Sequence, residues 1–321
     1  MISVTEKGPP KDYLASRDSV AYYVIPNPGY LTFSGETRQE YLQRQTTNDL
    51  GLLSSNRALP NFLTSASGRI LEFFTMLQDG EGIGMLTQPG HGHGLADYFR
   101  KRIFFNDKVA VEDRSTEWVH VELYGPMARQ PAQAVGFEKV PEEDEVLTVD
   151  ETRLIGLNQG GFQTRPYILL SPLLLMPKVM EILSSLEAVA LTHKTREILR
   201  IEAGQPGDPE FNGDYTPFEL GMDRYVSTEK GCYTGQEVLA RQVTYDKIVR
   251  TLVQVRSTNP IAVGASVVAE GKNVGQVTSA AFSPTYGPVA LAMLRKPFDS
   301  PGMSLELADG ENHANGVVFL P

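Results

Sequence analysis

Apolar and polar positions alternate with a period of two along several short stretches, the spacing that places successive side chains on opposite faces of a strand. Gly29-Tyr30-Leu31-Thr32-Phe33, Asn61-Phe62-Leu63-Thr64, residues 70–77, residues 82–86 and Val119-His120-Val121-Glu122-Leu123 all read this way, parted by Gly, Asp and Ser turn signals. Helical segments fall between them. Ser34 offers an N-cap to a stretch in which Glu40 and Arg44 are spaced for a helical ion pair, residues 97–103 predict a helix, and Pro126 suits a helix start. Val179, Ile182, Leu183, Leu186 and Val189 fall on one helical face, and a second helix runs through Ile198, Leu199 and Ile201. Residues 141–145 form a charged connector, with strands at 153–157 and 167–170 beyond it. Strands and helices mix without a βαβ rhythm, which predicts an α+β fold. From Arg250 onward the chain reads as short strands joined by Gly, Pro and Asn turns, an all-β unit closing as a small barrel. The expected organisation is a loosely held extension over 1–21, an α+β region over 22–245 with two subdomains parted near 140, and a β-barrel over 246–321.

Composition narrows the function classes. Hydrophobic residues make up 41% and charged residues 21% of the 321 positions, enough apolar surface to fold and enough polar surface to stay dissolved. The net charge of −10 supplies no basic field for a nucleic-acid backbone, so no standing nucleic-acid partner is expected. A single cysteine, Cys232, excludes an internal disulfide and an all-thiolate metal cage and points to a reducing compartment. Residues 1–12 carry charges and Pro9-Pro10 where a secretory signal would be apolar, and the run 168–176 is broken by Ser171 and Pro172, far short of the ~20 residues that cross a bilayer. The expectation is a cytoplasmic protein without a membrane partner.

Common catalytic signatures are missing: no Walker phosphate loop, no dinucleotide fingerprint following a strand, no nucleophile elbow. The glycine-rich residues 80–84 read as a hairpin turn. His91 and His93 have no acid or thiol close in sequence and read as an exposed loop rather than a metal site. Arg100-Lys101-Arg102 reads as a solvated helix face, with an anionic tail as the alternative ligand. The informative stretch is Lys230-Gly231-Cys232-Tyr233-Thr234-Gly235-Gln236-Glu237, leading to Arg241. Lys230 and the helix opened by Gln236-Glu237 would both favour a thiolate, as in a reactive or ligand-facing site; the other reading is a small buried cysteine in a tight turn.

This octapeptide resembles the mark of the YgfZ branch of the folate-binding proteins related to the glycine-cleavage aminomethyltransferase, GcvT. Further resemblances follow in order: residues 45–49, Gly68-Arg69-Ile70-Leu71, Leu123-Tyr124-Gly125-Pro126, residues 200–206 and residues 275–279. The resemblance implies a three-domain cloverleaf around a central folate channel, with tetrahydrofolate or a one-carbon derivative as cofactor and iron–sulfur enzymes or assembly proteins, including tRNA-modifying enzymes, as partners. It implies catalytic roles for Cys232 and Lys230, and folate contacts from Tyr233, Gln236, Glu237 and Arg241. Glu202 resembles the acid that binds the pterin ring, since a carboxylate can pair with two N–H donors of an aminopyrimidine; a helix-end salt bridge is the alternative role. Transferase relatives carry adjacent aspartates where this chain has Glu72-Phe73. Three functions follow: a folate-binding accessory factor for iron–sulfur enzymes acting through Cys232, a folate-dependent aminomethyltransferase or demethylase of a small amine, and a noncatalytic interaction protein.

Overall fold

In the computed structural model, which describes residues 8–164, 166–310 and 312–319, the strands gather into three units. The first is a five-stranded antiparallel sheet in the order Leu59–Thr64, Ile70–Asp79, Gly82–Thr87, Gly29–Ser34, Ala110–Asp113. Asp79 stands opposite Gly82, so the glycine-rich run is a hairpin turn, and Gly80 takes the positive φ such a turn demands. One face of this sheet packs Phe33, Phe74 and Met85 against Tyr41 and Leu42 of the helix Arg38–Gln45 and Phe99 of the helix Gly92–Arg100.

The second unit is a six-stranded sheet ordered Val189–Ala190, Ala21–Val24, Trp118–Tyr124, Tyr167–Pro172, Thr152–Gly156, Val146–Val149, parallel only at its first pair. Val121, Leu123, Leu154 and Leu169 pack beneath the helices Arg129–Val135 and Met176–Ser185. The opposite face meets the first sheet, with Trp118, Ile155 and Leu170 against Tyr30, Leu77 and Leu86. The third unit is the expected closed barrel, six strands in the order Arg250–Ser257, Gly287–Arg295, Lys272–Ser283, Ser266–Ala269, Ser304–Asp309, Asn312–Phe319, filled by small and branched residues such as Val255, Val267, Ala292 and Leu307.

The helix His193–Glu202 sits where the units meet: Ile198 and Leu199 pack on Tyr13 and Tyr124, and Ile201 packs on Val289 and Leu291 of the barrel.

Four local expectations change. Residues 11–18, read as part of a loose extension, form a docked helix, Lys11–Asp18; residues 1–7 lie outside the described residues. Its sequence lacks an apolar stripe because polar anchors hold it: Asp12 accepts from the Thr192 N–H and hydroxyl, both at 3.0 Å, capping the helix His193–Glu202 from outside. The helix expected at 97–103 runs instead over Gly92–Arg100, the span that turns Leu95, Ala96 and Phe99 into the core. Val189 leaves the helical face on which its spacing placed it, since the helix ends at Ser185 and Glu187, at φ +52, turns the chain into a strand. Arg44 pairs with Asp107 at 2.6 Å, across the sheet edge, rather than with Glu40.

Candidate functional site

A cavity of about 500 Å³, within the range of small-molecule sites, opens where the two sheets, the helix His193–Glu202 and the loop after it converge. Period-two alternation puts His120, Glu122 and Tyr124 of one strand on its wall, while the intervening Val121 and Leu123 fill the core behind. The helix supplies His193, Arg196, Glu197 and Arg200, spaced by three, one and three residues and hence on one face. Phe73 from the first sheet and Phe211 from the loop stack with centroids 4.8 Å apart at 26°, giving the cavity a flat aromatic wall.

The charges in it are ordered. Arg196 grips Glu122 with two parallel bonds, Nε to Oε2 at 2.6 Å and Nη2 to Oε1 at 2.7 Å, and the Tyr124 hydroxyl donates to Oε2 at 2.8 Å. Burial works against the Arg196 charge, but Glu122 beside it more than offsets that and raises the guanidinium pKa further. Burial likewise opposes ionisation of Glu197, yet the bonds and charge of Arg200 hold its carboxyl below the usual range. Arg200 sends Nε and Nη2 to Glu197 Oε2, at 2.9 and 2.7 Å. That leaves Oε1 with only a longer 3.3 Å contact from Arg196, and therefore with capacity to accept. His120 is 2% exposed, burial holds its imidazole down to about 4, and its Nε2 has no hydrogen-bond partner among the described residues.

None of the octapeptide residues lines this cavity. Lys230 is buried, and its ammonium donates to the carbonyls of Gln43, Thr46 and Asn48 at 2.9, 2.6 and 2.7 Å. Burial lowers its pKa to about 7, with Asp49 acting the other way. It pins the 230 loop to the last turn of the helix Arg38–Gln45 and the segment after it, so the part expected of it as a thiol activator is replaced by a clamp. Gly235 sits at φ +88 with Ser65 O only 2.5 Å from where a Cβ would stand, and Thr64 donates to Thr234 O at 2.7 Å. Tyr233 is buried among Phe62, Phe218 and Leu239, and its hydroxyl donates to Ser227 O at 3.2 Å. Gln236 closes back on Lys230 O at 3.1 Å, and Glu237 and Arg241 form an exposed i,i+4 pair. Cys232 is exposed, which removes the buried-cysteine alternative.

Glu202 also faces away from the cavity. Helical rotation of about 100° per residue sets it half a turn round from His193. It is 2% exposed and accepts bonds from Tyr13 at 2.9 Å, Arg17 and Ser283, so its alternative role as a helix-end salt bridge is the one the geometry gives it. Sequence reasoning missed Glu122, Arg196, Glu197 and His120, although three polar residues on one face of an apolar strand and a polar 3–1–3 helix face were available signals. It also read His91 as unpartnered. His91 Nδ1 lies 2.7 Å from Glu72, whose carboxyl burial pushes up, while strand alternation turns Phe73 to the cavity.

Residues 250–321 match the family model described as the glycine cleavage T-protein C-terminal barrel domain. The crystal structure of the glycine cleavage system aminomethyltransferase T from Bartonella henselae superposes with a TM-score of 0.85 at 20% identity, over 96% of this chain and 87% of its own. The chain has the GcvT fold. Among relatives of this GcvT-like chain, a putative chloroplastic transferase of Arabidopsis thaliana is 26% identical over 268 residues, 78% of this chain but 59% of the plant protein's length. The aminomethyltransferase of Thermotoga neapolitana is 25% identical over 331 residues, 97% of this chain and 88% of its own. Among the described residues no helix is long and apolar enough to cross a membrane.

Proposed function

We propose that this GcvT-like chain binds a reduced folate in the 500 Å³ cavity and acts in folate-dependent one-carbon transfer from a small amine. The observation that carries the reading is Glu197: a carboxylate held ionised, with only the 3.3 Å Arg196 contact on Oε1, in the same cavity as the stacked Phe73 and Phe211. An aminopyrimidine edge presents the paired N–H donors such a group accepts, and a flat ring suits the aromatic wall. Bound tetrahydrofolate would supply the nitrogen atoms that take up a one-carbon unit. The chain's own residues would orient the ring and keep Glu122 and Arg196 neutralised as a pair. Phe73 stands where the transferase relatives carry an acid, and the helix His193–Glu202 turns Glu197 and His193 toward the cavity beside its two arginines.

Calorimetric titration with tetrahydrofolate under anaerobic conditions tests this. Glu197→Gln should weaken binding by about 10- to 100-fold, the worth of a charge-assisted hydrogen bond. Unchanged affinity in the folded variant rejects the assignment. Incubation with tetrahydrofolate and a small S-aminomethyl thioether, followed for methylenetetrahydrofolate together with the thiol and ammonia released as the S–C and C–N bonds break, tests the transfer without calling for an oxidant.

A second reading is supported by the exposed Cys232 on a loop fixed by Lys230 and Gly235: a cytoplasmic accessory role toward iron–sulfur enzymes or their assembly proteins. A lone thiol cannot hold a cluster, but it can share one with a partner. A gene deletion that lowers iron–sulfur enzyme activity and is rescued by the parent but not by Cys232→Ala would favour it; full rescue by the variant rejects it.

A further inference from the structure

We propose that His120 is a specificity-determining residue of the cavity, whose imidazole Nε2 hydrogen-bonds a heteroatom on the buried edge of a flat heteroaromatic ligand. The inference rests on the folate reading above and names the contact that would orient the ring.

Several buried side-chain polar atoms lack a partner among the described residues, and His120 Nε2 is the one that belongs to a cavity-lining residue. Native folds rarely leave such an atom unpaired without a use for it. Its surroundings offer nothing in compensation. Leu170 stands directly across the ladder, and Ala58, Leu86 and Ile155 make this end of the cavity apolar. The polar groups two residues along the strand are already engaged, Glu122 by Arg196 and Tyr124. The imidazole is therefore an isolated polar point on an apolar floor, and being neutral it can present its Nε2 either as donor or as acceptor. A ligand bringing a ring nitrogen or carbonyl oxygen to that point completes the bond. A carbocycle of the same outline would leave the atom as unpaired as it is in the free protein and forgo the bond, and that difference is what discriminates the two ligands.

The test is calorimetry with tetrahydrofolate on the full chain, on His120→Leu and on His120→Gln, together with melting curves of the three ligand-free proteins. His120→Leu should bind about 10- to 100-fold more weakly while melting at or above the parent temperature, because the unpaired buried group is gone. His120→Gln, which can return an amide near the Nε2 position, should bind within about threefold of the parent. Parental affinity in His120→Leu overturns the anchor and leaves the folate reading intact. Failure of the unmodified chain to bind tetrahydrofolate overturns both. A lowered melting temperature in His120→Leu, with binding lost in His120→Gln as well, would make the imidazole a packing group and also overturn the proposal.

Discussion

Replacing Glu202 by Gln should destabilise the fold and leave ligand binding untouched. The carboxylate takes Tyr13 and Ser283 on Oε1 and Arg17 on Oε2, and its side chain is 3% exposed. A carboxamide keeps the shape but offers a single acceptor oxygen. Either Arg17 or the two hydroxyls must then face an NH2 group, itself a donor. Hydrogen bonds to charged groups contribute about 1.5–3 kcal/mol each, and a mismatched buried donor adds about 1 kcal/mol or more. Discounting for the partial exposure of Arg17, at 14%, leaves about 2–4 kcal/mol. Urea unfolding should show this as a lower midpoint with an unchanged slope, and a companion Arg17→Met should lose much of the same energy, so the double variant is less destabilised than the sum. Tetrahydrofolate affinity should stay within about twofold, since the side chain does not reach the cavity. A tenfold loss of affinity with an unchanged unfolding midpoint would refute the reasoning and return Glu202 to the ligand.

Other outcomes follow from the same geometry. His120 has a folded pKa of about 4 against 6.5, so the unfolded chain takes up its proton first; stability is full above about pH 6.5 and falls toward pH 4 by up to about 3 kcal/mol, a loss that His120→Leu should lack when urea midpoints are compared across that range. Gly235→Ala should cost about 2 kcal/mol or more, from positive φ and from the clash with Ser65 O, read as a lowered melting temperature. Lys230→Met should strand three carbonyls and speed amide exchange across residues 43–48 without altering tetrahydrofolate affinity. Cys232 should alkylate stoichiometrically in the native protein with no change in melting temperature; protection until unfolding would contradict its exposure.

The strands and the barrel were legible because period-two alternation and glycine turns are local properties, readable from a few neighbouring positions. The site was less so. Glu202 stood in a segment of the right composition, but which way it faces depends on where the helix begins, and Thr192 as N-cap fixes that start. His91 and Glu72 are 19 residues apart and become partners only through strand register. Lys230 looked like a companion of the neighbouring thiol because sequence offers proximity along the chain, whereas its three acceptors come from more than 180 residues earlier. The helix Lys11–Asp18 escaped because polar contacts, which leave no periodic trace, secure it.

That helix gives the molecule a latch. Through one carboxylate, Glu202 ties Tyr13 from the start of the chain, 189 positions away, to Ser283 in the barrel, 81 positions away in the other direction. A chain lacking the helix Lys11–Asp18 would keep every strand of all three units and the packing of Ile201 on the barrel, but of the three side chains that hold the Glu202 carboxylate only Ser283 would remain. The loss would fall on one joint: Arg200 to Ser279 and Gln254 to the carbonyls of Ile201 and Glu202 would still hold the barrel to the helix whose other face lines the cavity, while an ionised acid would stand at their edge without its cation.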